Sequence, residues 1–178
     1  QFDFSILHFI HDNISCGFMD FLMPKVTWLT EMGAVWLLAA ALFLIFRRYR
    51  ASVAIAGGIL ASLLFGNLLL KHIVARARPC WLEPTFQMLI AVPHDYSFPS
   101  AHSMVSFAAA VAIFHYNKKA GIPALVIAAL IAFSRLYLFV HFPTDVLVGI
   151  LMGIGLGIAA FVITDKVADR INRKKIKG

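Results

Sequence analysis

The sequence predicts an all-helical bundle that crosses a membrane several times. Two observations carry this. Of 178 residues, 61% are hydrophobic and only 14% are charged, whereas a soluble domain carries roughly 25% charge. With so little charge, much of the surface cannot face water. The apolar residues also fall into runs near the roughly 20 residues that a bilayer-spanning helix needs. The length suits one domain over residues 1–178.

The runs are Trp28–Phe46, Ser52–Ile73, Pro123–Val140 and Thr144–Thr164, with a shorter one at Ser103–Tyr116 that lengthens if its helix starts near Ser100. The net charge is +7, which on its own suits a nucleic-acid partner. Position argues against that partner. Eleven of the sixteen basic residues lie in three clusters: Arg47, Arg48 and Arg50; Lys118 and Lys119; Lys166, Arg170, Arg173, Lys174, Lys175 and Lys177. All three flank apolar runs, as cytoplasmic loops do. Five spans place every cluster on one side, with residues 166–178 as a basic cytoplasmic tail. Lys71–Ser100 is then extracytoplasmic, a long loop punctuated by Pro79, Pro84, Pro93 and Pro99. A loop of that length usually has a functional reason.

Residues 1–27 fit a span poorly, because Asp3, His8, His11, Asp12, Asn13, Asp20 and Lys25 interrupt the apolar positions. Phe2, Ile6, Phe9 and Ile10 recur at helical spacing, so one or two amphipathic helices in the outer interface are expected. A sixth span over residues 2–22 is the alternative. No signal peptide is expected in this opening, which lacks a basic start and a small-residue cleavage site. Cys16 and Cys80 form neither a disulfide framework nor a zinc spacing. Gly149, Gly153 and Gly157 recur every four residues, which suits close helix packing; a homodimer interface is the alternative use. Asn67 sits inside a span, where a hydrogen bond to a neighbouring helix is the expected role.

Ionisable groups at membrane depth are costly, so their placement is informative. Lys71, Arg76, Arg78, Ser100, His102, Arg135, His141 and Asp145 all fall at extracytoplasmic ends of spans. Cations and imidazoles gathered at one level suit an anionic substrate. Arginine offers a planar fork that matches phosphate oxygens, and lysine a point charge. Ser100 stands where a helix begins and is expected to cap it; the free N–H groups of such a first turn favour phosphate. His141 and Asp145 are four apart around Pro143, so the carboxylate is expected to hold one ring nitrogen and leave the other to attack. His102 would protonate the leaving oxygen. Arg76 is open between a phosphate-site role and a headgroup contact. His8, His11, His72, His94 and His115 are expected to be structural or exposed.

Three stretches resemble the signatures of the type 2 phosphatidic acid phosphatase family. Lys71-His-Ile-Val-Ala-Arg-Ala-Arg78-Pro79 is similar to the first, a lysine, six residues and Arg-Pro. Pro99-Ser100-Ala101-His102 resembles the second, with Ala101 where the family usually has glycine. Ser134-Arg135, five residues, His141, three residues and Asp145 matches the third. The resemblance implies a six-helix membrane fold and a metal-independent lipid phosphatase without cofactors. His141 would be the nucleophile, Asp145 its orienter and His102 the general acid. Lys71, Arg78, Ser100, Ala101 and Arg135 would hold the phosphate. It also implies a lipid substrate in the bilayer, with undecaprenyl pyrophosphate and phosphatidylglycerol phosphate leading. A phospholipid carrier without hydrolysis, and a related haloperoxidase, are the rival classes.

Overall fold

The computed structural model describes residues 2–177 and is helical throughout, with no strand among the described residues. Gln1 and Gly178, the ends of the predicted domain and tail, lie outside the described residues, as do the side chains of Lys175 and Lys177. Two short helices open the chain, α1 (Phe2–Ile14) and α2 (Gly17–Trp28). They are separated at Ser15 and Cys16, where Cys16 is fully extended. One continuous span over residues 2–22 is therefore not formed. A 3-10 turn over Glu31–Gly33 then leads into α3 (Ala34–Ile45). The first span thus begins at Ala34, not at Trp28, because Gly33 takes a left-handed conformation at φ 74° that breaks the run.

Helix α4 (Tyr49–Ser62) continues through a π-helical stretch (Leu63–Leu70) into α5 (Lys71–Val74). After α6 (Pro79–Leu82) and a loop come α7 (Ala101–Tyr116), α8 (Lys118–Tyr137) and α9 (Pro143–Lys177). Three helices, starting at Tyr49, Lys118 and Pro143, are long and apolar enough to cross a membrane; α3 and α7 are shorter apolar helices. That makes five apolar helices where five spans are expected. The basic stretch after Thr164 is helical and continues α9. Leu38, Leu60, Leu68, Leu151 and Ile163 stay exposed on the bundle surface, as residues facing lipid would.

Helix α7 is the axis of the bundle and packs against α4, α8 and α9. Its sequence explains why. Ala108, Ala109, Ala110 and Ala112 are buried, as are Ser103 and Ser106, so small side chains face almost every direction and neighbours approach from all sides. Trp36 of α3 reaches in and donates its indole N–H to Ser106 Oγ at 3.0 Å. The glycine stripe of α9 lies directly on α7. A Cβ at Gly149 would stand 2.6 Å from the Ser100 carbonyl, one at Gly153 2.4 Å from that of Met104, and one at Gly157 2.6 Å from that of Ala108. The stripe is spent on internal packing, as the every-fourth-residue spacing suggests. Gly155, outside the stripe, meets nothing.

The chain passes alternately between two ends of this bundle. Tyr49, Tyr116 and Lys118 lie at one end, with Arg50 paired to Asp165 and Asp169 of α9 at 3.6 and 2.8 Å. Lys71, Ser100, Tyr137 and Pro143 lie at the other. Helices α1 and α2 cover that second end, where Leu7, Ile10 and Met23 pack on Tyr137, Leu138, Phe139 and Val140.

Candidate active site

A cleft of about 510 Å³ opens at the end covered by α1 and α2. Lys71, Arg78, Ala101, His102, Arg135 and His141 line it, together with Thr27, Asn67, His94 and Asp95. Six predicted site residues from five places in the fold therefore share one cavity. Each is delivered by a helix end. Lys71 follows the π-helical stretch, a wide helix of a kind often found at functional sites. Arg78 directly precedes α6, Ala101 and His102 form the first turn of α7, and Arg135 lies in the last turn of α8. His141 sits in the turn before α9, a turn bent sharply at Phe139, whose φ is 57°.

The buried imidazole of His141 is held from both sides. Its Nε2 lies 3.1 Å from Arg78 NH1. Guanidinium only donates, so Nε2 must accept, and the ring proton belongs on Nδ1. On that side Ser97 Oγ stands 3.4 Å away and Asp145 Oδ2 3.8 Å. The second distance is too long for a hydrogen bond. Ser97 fills the gap: its hydroxyl donates to Asp145 Oδ2 in a short bond and faces Nδ1. The expected direct contact from Asp145 to His141 is thus relayed through a serine that the sequence does not single out. Asp145 is itself completely buried and fully engaged. Its Oδ2 also accepts from the Phe142 N–H at 2.9 Å, and its Oδ1 from Arg76 NH1 at 2.6 Å.

Arg76 does not line the cleft. It lies behind the cleft, its guanidinium 4.0 Å from the Phe142 ring centroid, and it joins two carboxylates. NH1 reaches Asp145, and NH2 reaches Asp3 of α1 at 2.7 Å. Asp3 is fixed in turn by the N–H and hydroxyl of Thr144 at 3.2 and 2.8 Å. The amphipathic N-terminal helix is in this way tied to the carboxylate behind His141.

Arg78 is almost wholly buried and all five of its donors are used. Nε bonds the Asp95 carbonyl at 2.6 Å. NH1 bonds the Val140 carbonyl at 2.7 Å and His141. NH2 bonds Asp95 Oδ1 at 2.6 Å and the Tyr96 carbonyl at 3.3 Å. The other Asp95 oxygen accepts from Lys71 in a short bond. Arg135 gives NH1 to Thr27 Oγ1 of α2, but its buried Nε has no partner among the described residues. Asn67 Oδ1 is also buried without one, so the expected bond to a neighbouring helix is not made. Ser100 does not cap α7 with its side chain; its hydroxyl pairs with Ser103 Oγ at 3.0 Å. Its backbone N–H instead donates to the Asp145 carbonyl at 3.1 Å, which joins the start of α7 to the start of α9. By helix geometry the first N–H groups of α7 have no carbonyl of their own helix to bond.

The charges act on one another. Burial, followed by the fields of Arg78, Arg135 and Lys71, holds the His141 pKa well below its ordinary value, against a smaller opposing pull from Asp95. The ring is consequently neutral, with its Nε2 lone pair present. Burial alone would raise the Asp95 pKa, but the bonds and charges of Lys71 and Arg78 overcome it and bring it to about 2.

The chain that carries this site has counterparts among known proteins. A family model described as the PAP2 superfamily matches residues 51–169. The chain belongs to this superfamily. It is 34% identical over 122 residues to an undecaprenyl-diphosphatase from Sulfolobus acidocaldarius, a match covering 67% of this chain and 58% of that protein. Among solved structures, LpxE from Aquifex aeolicus superposes with a TM-score of 0.80 at 26% identity, over 90% of this chain and 94% of that one. A transmembrane PAP2-type phosphatidylglycerolphosphate phosphatase from Bacillus subtilis gives 0.63 at 25%, over 96% and 94%.

The PAP2 signatures account for Lys71, Arg78, the start of α7, Arg135, His141 and Asp145. Thr27, Asp3, Ser97 and Asp95 escaped the sequence reading. For the first three the sequence holds no cue, since a lone threonine, aspartate or serine becomes informative only when another segment folds against it. Asp95 did leave a signal: it is the only acidic residue between Glu83 and Asp145. Of the other histidines, His8 pairs with Glu83 at 2.9 Å and His115 with Asp165 at 3.0 Å. Both cysteines are free, Cys16 exposed and Cys80 buried.

Proposed function

We propose that this PAP2 protein hydrolyses a phosphate or diphosphate ester of a membrane lipid through a phosphohistidine on His141, without a metal ion. The observation that carries this is the state of the His141 ring. Its Nδ1 is backed by Ser97 and Asp145, and its Nε2, which accepts from Arg78 NH1 and releases that bond to attack, borders the cavity that Lys71, Arg78 and Arg135 line. In the first step Nε2 attacks phosphorus, the bond from phosphorus to the leaving oxygen breaks, and His102 gives that oxygen a proton. In the second, water attacks phosphorus, the P–N bond breaks, and His102 takes a proton from the water. Orthophosphate and the neutral imidazole result. Lys71, Arg78, Arg135 and the N–H groups of Ala101 and His102 stabilise charge on the equatorial oxygens, the main task in phosphoryl transfer. The methyl group of Ala101 leaves its N–H available.

The phosphatase names of the relatives favour hydrolysis over a lipid carrier. Undecaprenyl pyrophosphate and phosphatidylglycerol phosphate are the first substrates to assay. His141→Ala is expected to abolish phosphate release from both in detergent with EDTA present, while the wild type stays active. Undiminished release by the variant would refute the nucleophile.

The cleft is assigned to the extracytoplasmic side, with the C-terminal end of α9 cytoplasmic. The placement of every basic cluster at the other end supports this. The exposed Cys16, between α1 and α2, is a native probe. A membrane-impermeant maleimide should label it in intact cells, and labelling only after lysis would reverse the assignment.

A further inference from the structure

Resting on the assignment of the cleft as a phosphate site, one group in it remains unexplained. Lys71 and Arg78 are the cations expected to hold phosphate, yet both already hold a carboxylate. Asp95 Oδ1 accepts from Arg78 NH2 at 2.6 Å, and Oδ2 accepts from Lys71. Two oxygens on one centre, bridging two buried cations, imitate two oxygens of a phosphate.

The other bonds of Arg78 show what must give way. With all five donors engaged, an incoming anion gains an N–H only by displacing an acceptor. Three of those acceptors are main-chain carbonyls, and the fourth is the buried His141 ring. The His141 ring leaves Arg78 only as it attacks phosphorus, so on anion binding it is the Asp95 carboxylate that gives way. Its side chain is 55% exposed, against 7% for that of Lys71 and 3% for that of Arg78. Its backbone need not move, because its carbonyl stays on Arg78 Nε while the side chain rotates into water.

We propose that Asp95 sets how tightly the cleft retains phosphate anions, by competing with them for Lys71 and Arg78. The competition lowers the affinity of every anion that needs both cations by the same factor, the fraction of time the cradle stands open. A lipid phosphate offsets this with its tail and headgroup. Orthophosphate has nothing to offset it with. Once the P–N bond breaks, the carboxylate returns and the product is displaced. Asp95 thus leaves the ratio of the two affinities unchanged but keeps orthophosphate, the weaker ligand, from holding the cradle closed to the next substrate.

The test uses purified full-length protein in detergent. Orthophosphate is the probe, measured both as a product inhibitor of lipid phosphate hydrolysis and by isothermal titration calorimetry. If Asp95 covers the cations about nine-tenths of the time, Asp95→Asn tightens orthophosphate about tenfold in both measurements, and Asp95→Ser does the same. The KM for lipid falls with it. Calorimetry reads the effect even in a variant whose turnover is slow, and the serine variant serves if the asparagine one does not fold. Orthophosphate affinity unchanged or weakened in the folded variants overturns the proposal and makes Asp95 a support for Arg78 and Lys71. A wild type that neither releases phosphate from lipid nor binds orthophosphate overturns the phosphate-site assignment first, and this proposal with it.

Discussion

At the basic end of the bundle, Arg47, Arg48, Lys118 and Lys119 surround a cavity of about 1110 Å³ and remain exposed. At the opposite end Lys71, Arg78 and Arg135 line a cleft of about 510 Å³ and are buried. The larger cavity holds more cations, yet chemistry is assigned to the smaller one. The difference lies in what holds each cation. Exposed cations keep their water, repel one another little across a high dielectric and hold no fixed geometry. Buried ones lose their water, so each must be met by acceptors placed by the fold. Arg78 is met by five. Such a site is fixed before any ligand arrives, and preorganised charge is what stabilises a phosphoryl transition state.

That contrast can be broken most directly by removing one cation from each end. Arg78→Ala should lower kcat/KM for the lipid substrate by roughly 10³-fold, the upper range for losing a preorganised donor. Arg47→Ala should leave it within about twofold, as surface substitutions usually do. Equal losses at both ends would show that total charge, and not its burial, sets the activity.

The glycine stripe of α9 joins the two ends, and it sharpens the comparison next. Gly149→Ala and Gly157→Ala each drive a methyl group into a carbonyl of α7 and should cost about 1–3 kcal/mol of stability, the usual range for overpacking, read as a fall in detergent melting temperature. Only Gly149, against Ser100, should also lower kcat in the protein that remains folded.

Asp3→Asn comes third. It removes one of the two carboxylates on Arg76 and so loosens the support of Asp145. A fall in kcat of about tenfold with KM little changed is expected, since an equal loss in kcat and kcat/KM marks an interaction felt in the transition state. A change confined to KM would make α1 a substrate contact.

The smallest effect is on pH dependence. His141 must be neutral to attack, and its pKa lies well below the ordinary histidine value. A lowered pKa keeps the neutral form present as the pH falls, so the acid limb of kcat/KM lies at lower pH than for a free histidine. Removing the Arg78 charge relieves part of that depression, and in Arg78→Ala the limb should move up in pH. The titration of the substrate is common to both enzymes and cancels. A limb that moves down, or stays in place, would remove Arg78 as a source of the depression.

The sequence by itself determined the five apolar helices and the collection of basic clusters at one end, and it singled out Lys71, Arg78, Arg135, His102, His141 and Asp145 as candidates for the site. These follow from local rules: hydrophobic length, the cost of charge at membrane depth, and short signatures along the chain. Tertiary structure decided how those groups are held. It set Ser97 between Asp145 and His141, turned Arg76 away from the cleft onto Asp145 and Asp3, brought Thr27 to Arg135, and laid Asp95 across Lys71 and Arg78. Each of those contacts joins residues that the chain keeps 17 to 108 positions apart. No local pattern encodes such a pairing, because a side chain's partner is chosen by which helix ends the packed bundle brings together.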